Sequence, residues 1–531
     1  MVKKCVCVRA CVCALIAAFA VPALAGTAFE VTVKTPLGDV RGLSDGEVAV
    51  FRGIPYARPP IGELAYAPTQ PAERWDGVLD ATKFGPIAMQ MPGAPGVGDL
   101  PVSDADCLTL NIWVPAGAKP GDALPVYVFI HGGAYALGSG SSATYDSTSF
   151  ARDGIVAVTF NYRLNAQGFL ATRATWEKYG TTGNWGHLDQ IEALKWVRDN
   201  ITSFGGDPQK VTVGGESAGS FSVSALLLSP LARGLFRAAI MESGSIFSAE
   251  KIWYNTAGDL DRCVEVGQEI LHLFDTPDSA VGLARLRGID PMLLTSVTAC
   301  NLDMTGYQRY FLMSAFDGYV LPRDPRQALR EGQFNRVNLL WGFNTHEGSM
   351  FVPEDQTELT YRRSVIHSAG YDAGLKILER FPVDETNSAT VRLRQFIGYS
   401  FLATPGLKLF ADRMSEAGMK VWGYNFDYIS PENAQARLGA SHAEEMPYIF
   451  RTHSGTINED QKRLTDEMHN RFVNFIKTGD PNGELRTPSG TEWPVYKPNG
   501  ALLRFDREVR VTGFPGLEDM KFMQDVLYGK D

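Results

Sequence analysis

The chain has 531 residues, of which 44% are hydrophobic and 21% charged, with a formal net charge of −10. A composition this ordinary, without a long Pro/Gly-rich or single-charge tract, excludes a disordered chain and predicts a large buried core. The acidic balance argues against a nucleic-acid partner.

Residues 1–25 read as a separate object. Lys3, Lys4 and Arg9 precede an apolar run from Ala10 to Ala20, and Ala23-Leu24-Ala25 before Gly26 is a small-residue cleavage site. This is the signature of a secretory signal, and the run is short for a membrane span. A lipid anchor on Cys11 or Cys13 is disfavoured because the apolar stretch follows those cysteines instead of ending at one. The expectation is a secreted or periplasmic protein cleaved after Ala25, with 26–531 forming one domain. Cleavage removes three positive charges and takes the net charge to −13. It also removes Cys5, Cys7, Cys11 and Cys13, leaving Cys107, Cys263 and Cys300, for which one bridge and one free thiol is the natural accounting in an oxidising compartment. No later apolar stretch is long enough to cross a membrane, so no stable membrane insertion is expected after cleavage.

From Ala123 to Arg237 strand and helix signals alternate, the mark of a doubly wound α/β sheet. Val126 to Ile130 and Gly154 to Phe160 are unbroken apolar runs of the kind buried on both faces. Leu188, Ile191, Leu194, Val197 and Ile201 recur at helical spacing, and Gly205-Gly-Asp-Pro208 ends that helix. Val211 to Val213 then runs into Gly215-Glu-Ser-Ala-Gly219, with an apolar helix signal from Phe221 to Leu228 behind it. The stretch from about 250 to 420, with its aromatic cluster from Tyr307 to Phe316, reads as helical insertions over the sheet.

Gly-x-Ser-x-Gly alone is a weak pattern. Between a strand and a helix it fits the nucleophile elbow, in which a strained turn exposes the serine and tolerates only small neighbours. The helix beginning after Ser217 would set its positive end near a developing oxyanion. His131-Gly-Gly-Ala-Tyr135 ends the first apolar run, and its small residues admit a substrate oxygen close to backbone amides, with His131 ordering the loop from behind; on its own it reads equally as a flexible turn.

The ordered series Phe51-Arg-Gly-Ile-Pro-Tyr-Ala57, Asp106-Cys-Leu-Thr-Leu-Asn111, His131-Gly-Gly-Ala134, Asn161-Tyr-Arg163, Gly205-Gly-Asp-Pro208, Gly215-Glu-Ser-Ala-Gly219, Glu242-Ser-Gly244 and Gly479-Asp-Pro-Asn482 resembles the type-B carboxylesterases, the cholinesterase-like branch of the α/β-hydrolases, over nearly all of the chain after the signal. The resemblance implies an α/β-hydrolase fold, a central, mostly parallel twisted sheet flanked by helices, with helical insertions over the active site. It implies a serine carboxylesterase acting on small-molecule esters without a cofactor. Six of the eight histidines follow Ser217, and composition does not choose among them. By resemblance, Gly342-Phe-Asn-Thr-His-Glu-Gly348 supplies the acid, Glu347, and Gly439-Ala-Ser-His-Ala-Glu-Glu-Met-Pro-Tyr448 supplies His442, in the elbow-hydrolase order of serine, acid, histidine. Gly133, Ala134 and Ala218 are the implied oxyanion-hole amides. His346 stands where the family usually has Asp; adjacent residues on an extended chain point opposite ways, so it is not expected to share Glu347's role. Glu216 and Glu444 are read as structural carboxylates. A His base predicts activity that declines as pH falls through roughly 6 to 7.

Two departures stand out. Many relatives bridge the cysteine of the Asp106-Cys107 motif to one some twenty residues earlier, where this chain has Ala88; Cys107 is therefore expected free, leaving Cys263 and Cys300 to pair in a bridge worth about 3 to 4 kcal/mol. Ala65 and Ala105 replace both members of a common Arg–Glu ion pair, a joint loss that is tolerable where a single loss would strand a charge. The rival readings are a non-catalytic cholinesterase-like binding or adhesion protein, and a true lipase with interfacial activation.

Overall fold

The computed structural model describes residues 28–92, 102–247, 258–299, 310, 312–402 and 404–529. The signal segment 1–25, Cys300 and part of the Tyr307–Phe316 stretch lie outside the described residues.

The strands are β1 (Phe29–Thr35), β2 (Gly38–Ser44), β3 (Val48–Pro55), β4 (Val78–Asp80), β5 (Thr109–Pro115), β6 (Leu124–Ile130), β7 (Val156–Phe160), β8 (Gly206–Glu216), β9 (Ala238–Glu242), β10 (Asn338–Asn344), β11 (Val421–Phe426), β12 (Leu502–Phe505) and β13 (Arg510–Thr512). They form one 13-stranded sheet in the order β1-β2-β3-β5-β7-β6-β8-β9-β10-β11-β12-β13, with β4 beside β2. From β7 through β12 neighbouring strands run parallel, and the antiparallel pairs fall at the two edges. This is the expected α/β-hydrolase sheet.

The unbroken apolar runs follow from cover on both faces. Along β6, Val126, Val128 and Ile130 join one core cluster, whereas Tyr127 and Phe129 join the other. Successive strand side chains point to opposite faces, so a two-sided sheet needs apolar residues at every position. The helix Ala218–Leu228 packs in the first core and Glu459–Thr478 in the second.

The expected helix at Leu188–Ile201 runs from Trp185 to Asn200, and its burial departs from the apolar stripe. Leu188 is only partly buried, while Asp189 is fully buried. Asp189 accepts from the Arg163 amide (2.9 Å), Nε (2.8 Å) and Nη2 (2.7 Å), and from Thr69 Oγ1 (2.6 Å). A buried ion pair is tolerable when its remaining hydrogen-bonding capacity is satisfied in this way.

Within 250–420 the described residues are mostly helical, as expected. One central strand, β10, was not anticipated there: Leu339, Leu340, Trp341 and Phe343 form a short apolar run, and the Gly342–Gly348 segment at its end points to Glu347 without showing that a strand precedes it.

The expected Cys263–Cys300 bridge is a correction. Cys263 carries a free thiol, as does Cys107. It lies in the helix Leu260–His272, packed with Leu260, Val264, Ala171 and Ala315. Burial pushes that thiol up to about 12, leaving it unreactive.

Candidate active site

The C-terminal ends of the parallel strands gather the residues singled out above, at the edge where open α/β sheets bind ligands. Strand β8 ends at Glu216, and the chain turns through Ser217 at φ 58° and ψ −124° into the helix Ala218–Leu228. A non-glycine residue in such a conformation costs on the order of 1–3 kcal/mol and persists only where its surroundings fix it. Here the Ser217 amide donates to the Glu242 carbonyl at the end of β9 (2.9 Å), and the Phe221 amide to the Ser217 carbonyl (3.0 Å). A Cβ on Gly219 would lie 2.0 Å from the Ile130 carbonyl oxygen, and one on Gly215 would lie 2.5 Å from Gly219. Only glycine fits at either position.

Beyond β6, Gly133, Ala134 and Tyr135 adopt φ values of 106°, 56° and 56°. The loop is clamped on several sides. The Asn165 amide donates to the Tyr135 carbonyl and its Nδ2 to the Ala136 carbonyl, both at 2.8 Å. The Gln90 side chain makes two 2.9 Å bonds to Gly138. His131 stacks on Tyr162 and donates from Nδ1 to the Gly132 carbonyl (2.8 Å). Burial lowers this imidazole to about 4, so it stays neutral and orders the loop as expected. A Cβ on Gly132 would lie 2.9 Å from the Ser217 Cβ, so loop and elbow are in direct contact. Ala218 opens the helix, where the first amides have no intrahelical acceptor.

Glu347 follows β10 and His442 follows β11. Glu347 Oε2 lies 2.7 Å from His442 Nδ1, and its Oε1 accepts the Asn344 amide at 2.8 Å. Ser217, Glu347 and His442 are 7%, 4% and 8% exposed. The imidazole is therefore held in a largely dry setting, where its hydrogen bonds are strong.

Sequence reasoning read Glu216 only as a structural carboxylate and missed Glu242 and Glu445 around this histidine. Glu216 Oε1 stands 3.1 Å from His442 Nε2. Glu445 accepts from Asn344 Nδ2 and from Ser243 Oγ, and Glu242 accepts from the Tyr424 hydroxyl (3.1 Å). Glu444, in contrast, turns to Asn433 Nδ2 (2.7 Å) and stays a structural carboxylate. Burial raises Glu216, Glu242 and Glu445 above the ordinary carboxylate range, and their mutual repulsion adds to it for Glu242 and Glu445. Such groups share protons instead of ionising together. His442 shows the counterpart: burial alone would lower it, but the charge of Glu216 and the bond to Glu347 raise it to about 9. A reaction that needs the neutral imidazole is then lost as pH falls through a range above the ordinary histidine value. The expected kcat/KM profile has its acid midpoint above pH 7, and Glu216→Gln moves it down; a wild-type midpoint at or below 6.5 would contradict this placement of Glu216. Among the described residues no cluster of His, Cys, Asp and Glu has metal-holding geometry.

The sheet and the elbow define an α/β-hydrolase. A model of the carboxylesterase family matches residues 30–523, and the chain belongs to that family. It is 33% identical over 503 residues to the para-nitrobenzyl esterase of Bacillus subtilis (92% of this chain, 97% of the relative). It is 32% identical over 511 residues to human cocaine esterase (89% and 86%). Among solved structures, a PNB esterase superposes with a TM-score of 0.78 at 31% identity (93% and 99%), and the Geobacillus stearothermophilus carboxylesterase with 0.78 at 32% (93% and 100%). The protein is a carboxylic ester hydrolase.

Proposed function

We propose that the protein hydrolyses carboxylic esters through an acyl-enzyme on Ser217. Ser217 Oγ attacks the ester carbonyl as His442 takes its proton, and the oxyanion rests on the amides of Gly133, Ala134 and Ala218. His442 returns the proton to the leaving alcohol, and water repeats the sequence to release the acid. Glu347 fixes the tautomer by accepting from Nδ1, while Glu216 beside Nε2 stabilises the imidazolium formed in each half-reaction. The observation that carries this reading is the buried 2.7 Å Glu347–His442 hydrogen bond, with His442 Nε2 3.1 Å from Glu216, the residue preceding the strained elbow serine. With residues 1–25 removed as a secretory signal, 26–531 forms one α/β-hydrolase domain acting outside the cytoplasm, secreted or periplasmic. Among the described residues no helix is long and apolar enough to cross a membrane.

Rapid mixing with p-nitrophenyl esters of increasing chain length tests the reading. The expected result is a p-nitrophenol burst approaching one equivalent per chain wherever deacylation is rate-limiting, with no jump in rate when the ester passes its solubility limit. Such a jump would mark a lipase, and absence of turnover on every ester would leave only a binding role.

A further inference from the structure

His442 lies well beyond the end of β11 at Phe426, on a loop whose position no strand dictates. Its placement against Glu347 therefore depends on bonds between two loops. The Asn344 side chain donates from Nδ2 to the Ser441 carbonyl (2.7 Å). The His346 amide donates to the Ala440 carbonyl (2.9 Å), and the Ala440 amide donates back to His346 Nδ1 (3.2 Å). Ser349 closes the turn from the other side, its Oγ donating to the His346 carbonyl at 2.7 Å. The ring also lies against Gly439, where a Cβ would come within 2.5 Å of it, so the histidine loop approaches as closely as glycine allows.

We propose that His346 is a positioning residue, which latches the loop carrying His442 to the loop carrying Glu347 through an imidazole nitrogen that accepts the Ala440 amide. The proposal rests on the assignment of Glu347 and His442 as acid and base. Any residue supplies the backbone half of the latch; the side-chain half needs an acceptor at the Nδ1 position, and only a neutral ring provides it. The family's usual Asp offers an acceptor too. Histidine makes that acceptor titratable near physiological pH.

The charges around the ring favour the accepting form. Glu347, on the same loop, directs its carboxylate to the Asn344 amide and to His442. From the helix Ala389–Ser400 comes Arg394, which bonds the Val352 and Arg437 carbonyls and pairs with Glu354 (3.2 Å). Arg437 follows the helix Pro431–Ala436, and Glu444 on the histidine loop is held by Asn433. Partial burial and Arg394 hold His346 below the ordinary histidine value. Its outer edge opens on a cleft of about 680 Å³ lined in part by Arg394, Arg437, Val391 and Met520, which gives solvent protons direct access. Protonation places an N–H against the Ala440 N–H, and two facing donors push the loops apart. The latch thus opens as pH falls, at a lower pH than the protonation of His442 itself.

The experiment compares wild type, His346→Asn, His346→Ala and His442→Ala on p-nitrophenyl butyrate from pH 4.5 to 9, with melting temperatures as the control for folding. Asn sets an oxygen where Nδ1 stands but does not titrate. The expected result is a kcat for His346→Ala that is about 10- to 100-fold below wild type, the scale of a small misplacement of a reacting group, with KM little changed. His346→Asn recovers most of kcat at neutral pH. In wild type the acid limb of log kcat/KM steepens at low pH; in His346→Asn it keeps one slope throughout. An Asn variant no better than the Ala variant, the same low-pH steepening in His346→Asn, or full activity in His346→Ala would overturn the latch. Activity surviving in His442→Ala would instead overturn the assignment beneath it.

Discussion

Replacing Ser217 by alanine is expected to lower kcat for p-nitrophenyl butyrate by about a million-fold, the scale on which a nucleophile that acts as one unit with its base is lost. The effect belongs to chemistry and not to folding. Alanine keeps the Cβ and the amide, so the bond to the Glu242 carbonyl and the helix start at Ala218 remain, and the melting temperature is expected to stay within a degree or two, the scale of a substitution worth less than about 0.5 kcal/mol. Residual turnover is expected from the amides of Gly133, Ala134 and Ala218, since oxyanion stabilisation survives loss of the nucleophile. Steady-state kinetics beside a thermal melt checks both halves. A variant that keeps a tenth of the wild-type kcat would show that Ser217 is not the attacking group.

The second large effect separates the two carboxylates that flank His442. Glu347→Gln is expected to lower kcat by about 10⁴-fold, because an amide that donates to Nδ1 selects the wrong tautomer and no longer stabilises the imidazolium. Glu216→Gln is expected to cost far less and to act on the pH profile. Glu216 lies at the Nε2 side, where it sets how readily the ring holds a proton, whereas the Nδ1 bond at 2.7 Å sets the ring's orientation. Doubly substituted enzyme should resemble Glu347→Gln alone, as groups working through one histidine do not add. Equal losses in the two single variants would mean that either carboxylate orients the ring.

What the sequence carries well is local. The elbow and the His131–Tyr135 loop are short, need small residues at fixed spacing, and sit at the ends of strands whose apolar runs are themselves legible, so Ser217 is singled out by pattern plus context, whereas the choice of Gly133, Ala134 and Ala218 as oxyanion amides comes from the resemblance. Glu347 and His442 carry no such local signal. They lie 95 residues apart and are found only through resemblance, because the sheet order that makes β10 and β11 neighbours is not written in either segment.

The corrections share that origin. Glu216 was read as structural because the serine–acid–histidine chain order leaves it no role as the acid; chain order says nothing of its neighbours, and it stands 3.1 Å from His442 Nε2. Asp189 sits on what counts as the polar side of its helix, yet it is buried because Arg163 arrives from the end of β7 to meet it. The family's missing partner at Ala88 left Cys263 to pair with Cys300, but that inference holds no information about which way a helical side chain faces, and Cys263 is a free thiol packed in its own core. His346 was set aside for being next to the acid on an extended chain. Adjacency denied it the acid's role, but both neighbours meet the histidine loop, Glu347 at His442 Nδ1 and His346 at the Ala440 amide.

The most direct test of the account is covalent. Incubation with diethyl p-nitrophenyl phosphate, followed by peptide mass spectrometry, should release one equivalent of p-nitrophenol per chain, place a single diethylphosphoryl group on Ser217, and abolish ester hydrolysis in proportion to labelling. A label on any other residue, or hydrolysis that persists when Ser217 is fully labelled, would contradict it.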